Sequence, residues 1–133
     1  MKKTLTFEQW VSENTKEFQY ISSLLNKKLS DDPVMLSEQL IKCEAWHARI
    51  NYLLSWSDYY LDKAEMQALN EVNAVKSENP KKMTDLDRGI ILRDKCKEER
   101  KIRDILRGFS KAIDNRLVLG MSLMKRHYSE NKL

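Results

Sequence analysis

Five cations, Arg93, Lys97, Arg100, Arg107 and Lys111, follow one another at intervals of one or two helical turns, with Lys125 further along the same line. At about 100° per residue they fall in one narrow band, edged by Lys101, Arg103 and Arg126. Ile91, Ile102, Ile105, Leu106, Phe109, Ile113, Gly120 and Met124 take the opposite side. Side chains so spaced can each meet a phosphate, and neutralising several releases counterions and makes binding strongly salt-dependent. The same band also suits a solvated face on which Asp94 and Glu99 pair with neighbouring bases. Both readings stand on the sequence, with the acids mostly toward the flanks.

A second constellation lies in YLLSWSDYYLDK, residues 52–63. Tyr52, Trp56 and Tyr59 recur at helical spacing beside Arg49 and Lys63, on the side roughly opposite an apolar seam that runs from Leu36 to Leu61. Three roles fit such rings: packing under another helix of the same chain, contact with another subunit, or stacking on unpaired bases. Among the functional roles, a subunit contact fits the pattern better than base stacking.

Other chemistry is poorly provided for. His47 falls in the apolar seam and His127 near the C-terminus, neither with a recognisable Ser/Asp or Cys partner arrangement. Cys43 and Cys96 lack the spacing of a metal site or redox pair and read as buried free thiols. Gly89, Gly108 and Gly120 stand alone, so no phosphate-cradling loop is formed, and Glu38 and Glu44 lack the Glu-x-x-His set of a helical metal bundle. The sequence thus predicts a protein that is no enzyme and takes no metal or cofactor.

These residues need long helices to position them. Only three glycines and two prolines occur in 133 residues, too few for the turns of a sandwich or barrel. The fold class expected is all-α, a single domain over residues 1–133: a short N-terminal helix packed on a long antiparallel helical hairpin, three helices in all. The first helix is expected over 6–29, with Thr6 and Gln9 as a capping box. The second spans 33–78, opened by Asp32 as N-cap and Pro33 at the first helical position. Its seam, from Leu36 through Leu40, Cys43, His47, Ile50, Leu54, Ser57, Leu61 and Ala64 to Ala68, alternates steps of four and three as in a coiled coil. Asn79-Pro80-Lys81-Lys82 breaks the chain, and Thr84 with Asp87 opens a third helix over 84–130. Counting outward from that loop places Ile113 near Ile50 and Gly120 near Cys43, with small or polar residues opposed nearer the loop, in a thin tip on a thicker three-helix base.

No apolar run reaches the roughly 20 residues that span a bilayer, and MKKTLTFEQW turns polar too soon for a signal peptide. The expected setting is soluble and cytoplasmic, without membrane contact. The net charge of +4 adds a mild bias toward anionic partners.

LIKCEAWHARINYLLSWSDYY, residues 40–60, resembles a segment of the phage UvsY-type recombination mediators. Leu40, Ile41, Lys42, Cys43, Glu44 and Ala45 match its apolar-basic-apolar-Glu-Ala run, and Asp58, Tyr59 and Tyr60 its Asp-Tyr-Tyr. DILRGFSKAIDNR, residues 104–116, is similar to the family's apolar C-terminal stretch. The resemblance covers about 80 residues, in short, degenerate motifs with a small difference in spacing. It implies a small helical protein that forms a ring-like homo-oligomer, binds single-stranded DNA and helps a RecA-like recombinase displace single-strand-binding protein. The family usually carries a Lys and an Arg just before Asp-Tyr-Tyr as DNA contacts, where this chain has Leu54 and Trp56. DNA contacts would then fall to Arg93, Lys97, Arg100, Arg107, Lys111, Lys63 and Arg49, with Trp56 available to stack. The rival expectation is a helical-hairpin interaction module, a phage structural or host-inhibiting protein, whose aromatic stripe docks on a protein.

Overall fold

The computed structural model describes residues 4–78 and 84–131, and every element among them is a helix: α1 (Phe7–Asn26), α2 (Pro33–Glu78), α3 (Asp85–Lys95) and α4 (Lys97–Asn131). The all-α expectation holds. The turn expected at Asn79-Pro80-Lys81-Lys82 lies outside the described residues.

Capping sets the helix starts as the sequence indicates. Thr6 Oγ1 accepts the Gln9 amide at 3.2 Å while Gln9 Oε1 accepts the Thr6 amide at 3.0 Å. Asp32 Oδ2 accepts the Met35 amide, and the Asp32 carbonyl accepts from Leu36. The side-chain bonds satisfy backbone donors that the first turn leaves without an intrahelical acceptor, and the Leu36 bond begins the regular ladder of α2.

Two helix assignments need correction. The first helix stops at Asn26, not residue 29, because Lys27 turns extended. The Gln39 side chain then holds the connecting segment, accepting from the Ser30 amide at 2.8 Å and donating to the Lys28 carbonyl at 3.2 Å. The expected third helix is two helices, interrupted at Cys96, whose ψ of 17° departs from helical geometry. Cys96 keeps its ladder bonds, its amide donating to the Leu92 carbonyl at 3.3 Å and its carbonyl accepting from Arg100 at 3.0 Å, so the break is a local change of ψ at a thiol fully buried against Leu61 and Ala68.

The chain forms two compact units, Met1–Leu53 with Arg107–Leu133, and Leu54–Leu106; α2 and α4 each supply a stretch to both. In the first, Trp10, Ile21, Leu24, Leu36, Cys43, Ile50, Leu53 and Ile113 are buried. Its two long stretches run antiparallel, since Asn51 meets Ser110, His47 meets Asp114 and Leu40 faces Gly120. The register expected from the sequence is therefore displaced by about one turn at Gly120. The helix α1 lies along the same stretch of α2, with Tyr20 against Trp46 at 4.9 Å between ring centroids and Glu17 on Arg49.

In the second unit Leu61, Ala68 and Cys96 form the core cluster, with Ala64 and Leu92 packed on it and Val72 also buried. Tyr60 and Leu106 are buried in this unit as well, and α3 buries no residue of its own. Beside it Ala64, Gln67, Ala68, Glu71, Lys95 and Glu99 line a hollow of about 260 Å³, the opposition of small and charged residues expected near the loop.

Candidate nucleic-acid interface

The break at Cys96 lies within the basic band. In the second unit Arg93 on α3 and Lys97, Arg100 and Lys101 on α4 line a shallow depression of about 540 Å³, closed by Asp104 and Ile105. Four cations face one acid there, and that acid is already held by Arg103 at 3.1 Å. Three of the four cations are exposed, and Ile105 adds an apolar surface at the end. Arg100 differs: it is half-buried and its Nη2 lies 3.3 Å from Glu65 Oε1, so part of its charge is balanced within the unit. Such a surface can hold the oxygens of a phosphate chain with exposed cations, while Arg100, fixed by Glu65, supplies a positioned donor.

The remaining basic candidates lie elsewhere. Lys63 is exposed on α2 in the same unit. Arg107 and Lys111 are exposed on α4 in the first unit. Arg49, also in the first unit, is engaged by both oxygens of Glu17, at 2.5 and 3.0 Å, and its guanidinium lies 5.0 Å from the Tyr52 ring centroid. The Glu17 hydrogen bond, opposed by partial desolvation, raises its already high pKa, so it stays a cation at any pH the fold survives.

The rings divide by exposure. Tyr60 is buried, and Trp56 is half-buried with Tyr59 edge-on at 5.6 Å and Tyr60 tilted at 6.0 Å. Tyr59 remains 43% exposed and Tyr52 53% exposed. Trp56 is therefore packed among rings of its own chain rather than displayed as an open platform, and Arg49 sits over Tyr52. Tyr52 and Tyr59 are thus the exposed rings of this stripe, and Trp56 packs edge-on against Tyr59.

Three features are not legible in the residue pattern. Glu65 as the partner of Arg100 depends on a contact 35 residues away in the chain. His47, which falls in the seam, is half-buried rather than enclosed, with Nε2 2.7 Å from Asp114 Oδ1. A cavity of about 450 Å³ in the first unit is lined by Lys27, Lys28 and Arg116 together with leucines including Leu25 and Leu119. The adjacent charges of Lys27-Lys28 are the one local signal for it, and its distant wall on α4 has none.

No protein-family model, curated protein or solved structure matches the chain. Among the described residues no group of three His, Cys, Asp or Glu side chains could hold a metal ion, and no helix is long and apolar enough to cross a membrane.

Proposed function

We propose that this protein is a non-enzymatic accessory factor of recombination or replication that binds single-stranded nucleic acid and acts as a homo-oligomer. The observation that carries this reading is the basic depression of the second unit, where Arg93, Lys97 and Lys101 are exposed around a braced Arg100. Exposed cations spaced by helical turns along a groove follow a phosphate backbone without reading sequence. The exposed Tyr59 ring of the same unit offers a stacking or subunit surface. The likeness of residues 40–60 to UvsY-type mediators supplies the wider role: keeping a strand accessible to a RecA-like recombinase while single-strand-binding protein is displaced, in the host cytoplasm. Several modest sites in one oligomer hold a strand by avidity.

A second reading, a protein-interaction module without nucleic-acid binding, is supported by the exposed Tyr52 and Tyr59 rings, with Trp56 packed and unavailable. Fluorescence anisotropy with a labelled oligothymidine separates the two. The nucleic-acid reading expects saturable binding at low salt that weakens steeply as salt rises; no change at micromolar protein and low salt would leave the interaction module standing.

A further inference from the structure

Besides the seam packed inside the fold, α2 carries a second line of residues at alternating steps of three and four. In the first unit it comprises Ile41, Ala45, Ala48 and Tyr52, all exposed, with Ile41 66% exposed. In the second unit the same helix continues the repeat with exposed Ser55 and Tyr59. In heptad terms Ala45, Tyr52 and Tyr59 are a positions and Ile41, Ala48 and Ser55 are d positions. The outer face of this helix therefore has the periodicity of a coiled-coil strand with its seam positions exposed.

The flanking charges identify what fits there. Glu44 and Asp58 occupy g positions, directly before an a residue, and Arg49 and Lys63 occupy e positions, directly after a d residue. Each acid precedes a base by five residues. When two such helices run parallel, g of one helix meets e of the other five residues on, so Glu44 meets Arg49 and Asp58 meets Lys63 across the pair. When they run antiparallel, e meets e and g meets g, and the cations oppose cations. The face is thus complementary to itself in one orientation alone.

We propose that a second copy of this chain docks on the outer seam of α2, the two α2 helices parallel and in register. Ala45 and Ala48 let the backbones approach closely, and Tyr52 and Tyr59 bury their exposed rings against the partner. Arg49 enters the contact with Glu17 already bound, its side chain still 42% exposed, so Glu44 of the second copy joins an ion pair rather than neutralising a bare cation. Asp58 with Lys63 is the simpler cross-pair. This deepens the homo-oligomer part of the function proposed above and depends on no nucleic-acid contact.

Sedimentation velocity from low to high micromolar concentration, combined with three variants, tests it. The wild-type chain should show a concentration-dependent dimer or multiple of it. Ala45→Glu, on an exposed position, should be monomeric with an unchanged helical circular dichroism spectrum. Ala48→Cys should form a disulfide-linked dimer under mild oxidation, since equal positions adjoin across a parallel pair, whereas the wild-type thiols are buried. Asp58→Lys should weaken association several-fold, and Asp58→Lys with Lys63→Asp should restore it. A monomer at every concentration, or a dimer indifferent to Ala45→Glu, overturns the docking face; a dimer lost in Ala45→Glu but never cross-linked through Ala48→Cys overturns the parallel register. Oligothymidine binding by the Ala45→Glu monomer, weakened but present, would show that the phosphate surface stands whichever way association falls.

Discussion

The Leu40 side chain fills the space that a methyl group on Gly120 would need. A Cβ there would stand 2.1 Å from Leu40 Cδ2 and 3.1 Å from its Cγ. α2 and α4 approach closely at this point, and the absent side chain permits it. Gly108, on the same helix, has nothing within 4 Å of such a Cβ. Gly120→Ala should therefore destabilise the protein by about 1–3 kcal/mol as Leu40 is displaced, less whatever helix propensity returns. Gly108→Ala should stabilise it by about 0.5–1 kcal/mol through propensity alone. Urea denaturation of both variants checks the pair; equal effects would mean that Leu40 yields freely.

The helix α3 depends on its cap more than its neighbours do. It buries no residue, and its first turn is held by a reciprocal pair in which Thr84 Oγ1 accepts the Asp87 amide at 3.1 Å and Asp87 Oδ2 accepts the Thr84 amide at 3.3 Å. Removing the hydroxyl in Thr84→Ala should cost about 0.5–2 kcal/mol locally. Amide exchange in residues 85–95 should accelerate while exchange around Ile50 and Ile113 stays unchanged; protection reduced equally everywhere would contradict a local role.

Cys96 should make stability fall at alkaline pH. Burial, then the nearby carboxylates of Glu65 and Glu99, push its thiol pKa up, with Arg100 opposing. In the unfolded chain the thiol ionises at about 8.5, earlier than in the fold. Below that range both states hold the proton and the thiol's contribution is complete; it is lost as pH rises through the raised folded value. Urea midpoints measured from neutral to alkaline pH should decline more steeply for the wild type than for Cys96→Ala. Identical slopes would show that the thiol ionises alike in both states.

The Arg49 to Glu17 pair ties α1 to α2 through two hydrogen bonds in a partly exposed setting. Its removal in Arg49→Ala should cost about 1 kcal/mol, at the upper end for an exposed pair because the geometry is bidentate. Arg49→Lys should recover only part of this, since an ammonium cannot fork onto the carboxylate. Thermal melts of the two variants and Glu17→Gln make the comparison; full recovery by lysine would reduce the contact to simple charge attraction.

Local chemistry made much of the fold legible. Thr6 with Gln9, Asp32 with Pro33, and Thr84 with Asp87 mark helix starts within four residues of sequence, and the Leu36-to-Ala68 seam carried its own period. What escaped depends on distant partners. Lys27 leaves the helix where Gln39, far along the chain, can hold the segment that follows. Nothing around Cys96 signals a break, since neither Gly nor Pro stands there; its burial against Leu61 and Ala68 is a tertiary fact. The basic band was visible as a pattern, but the sequence could not show that Arg100 would be braced by Glu65, Arg49 engaged by Glu17, or Trp56 packed on Tyr59 and Tyr60.

The central claim is that the depression around Arg93, Lys97 and Lys101 holds phosphates. It is tested most directly by the salt dependence of oligothymidine binding, comparing the wild type with Arg93→Ala, Lys97→Ala and Lys101→Ala combined. These side chains are exposed, so the variant should keep its helicity and melting temperature. Wild-type affinity should fall linearly on a log–log plot against salt, and the variant should bind more weakly with a slope shallower by about 0.7 for each phosphate it no longer neutralises. A variant that binds with unchanged affinity and slope would contradict the account.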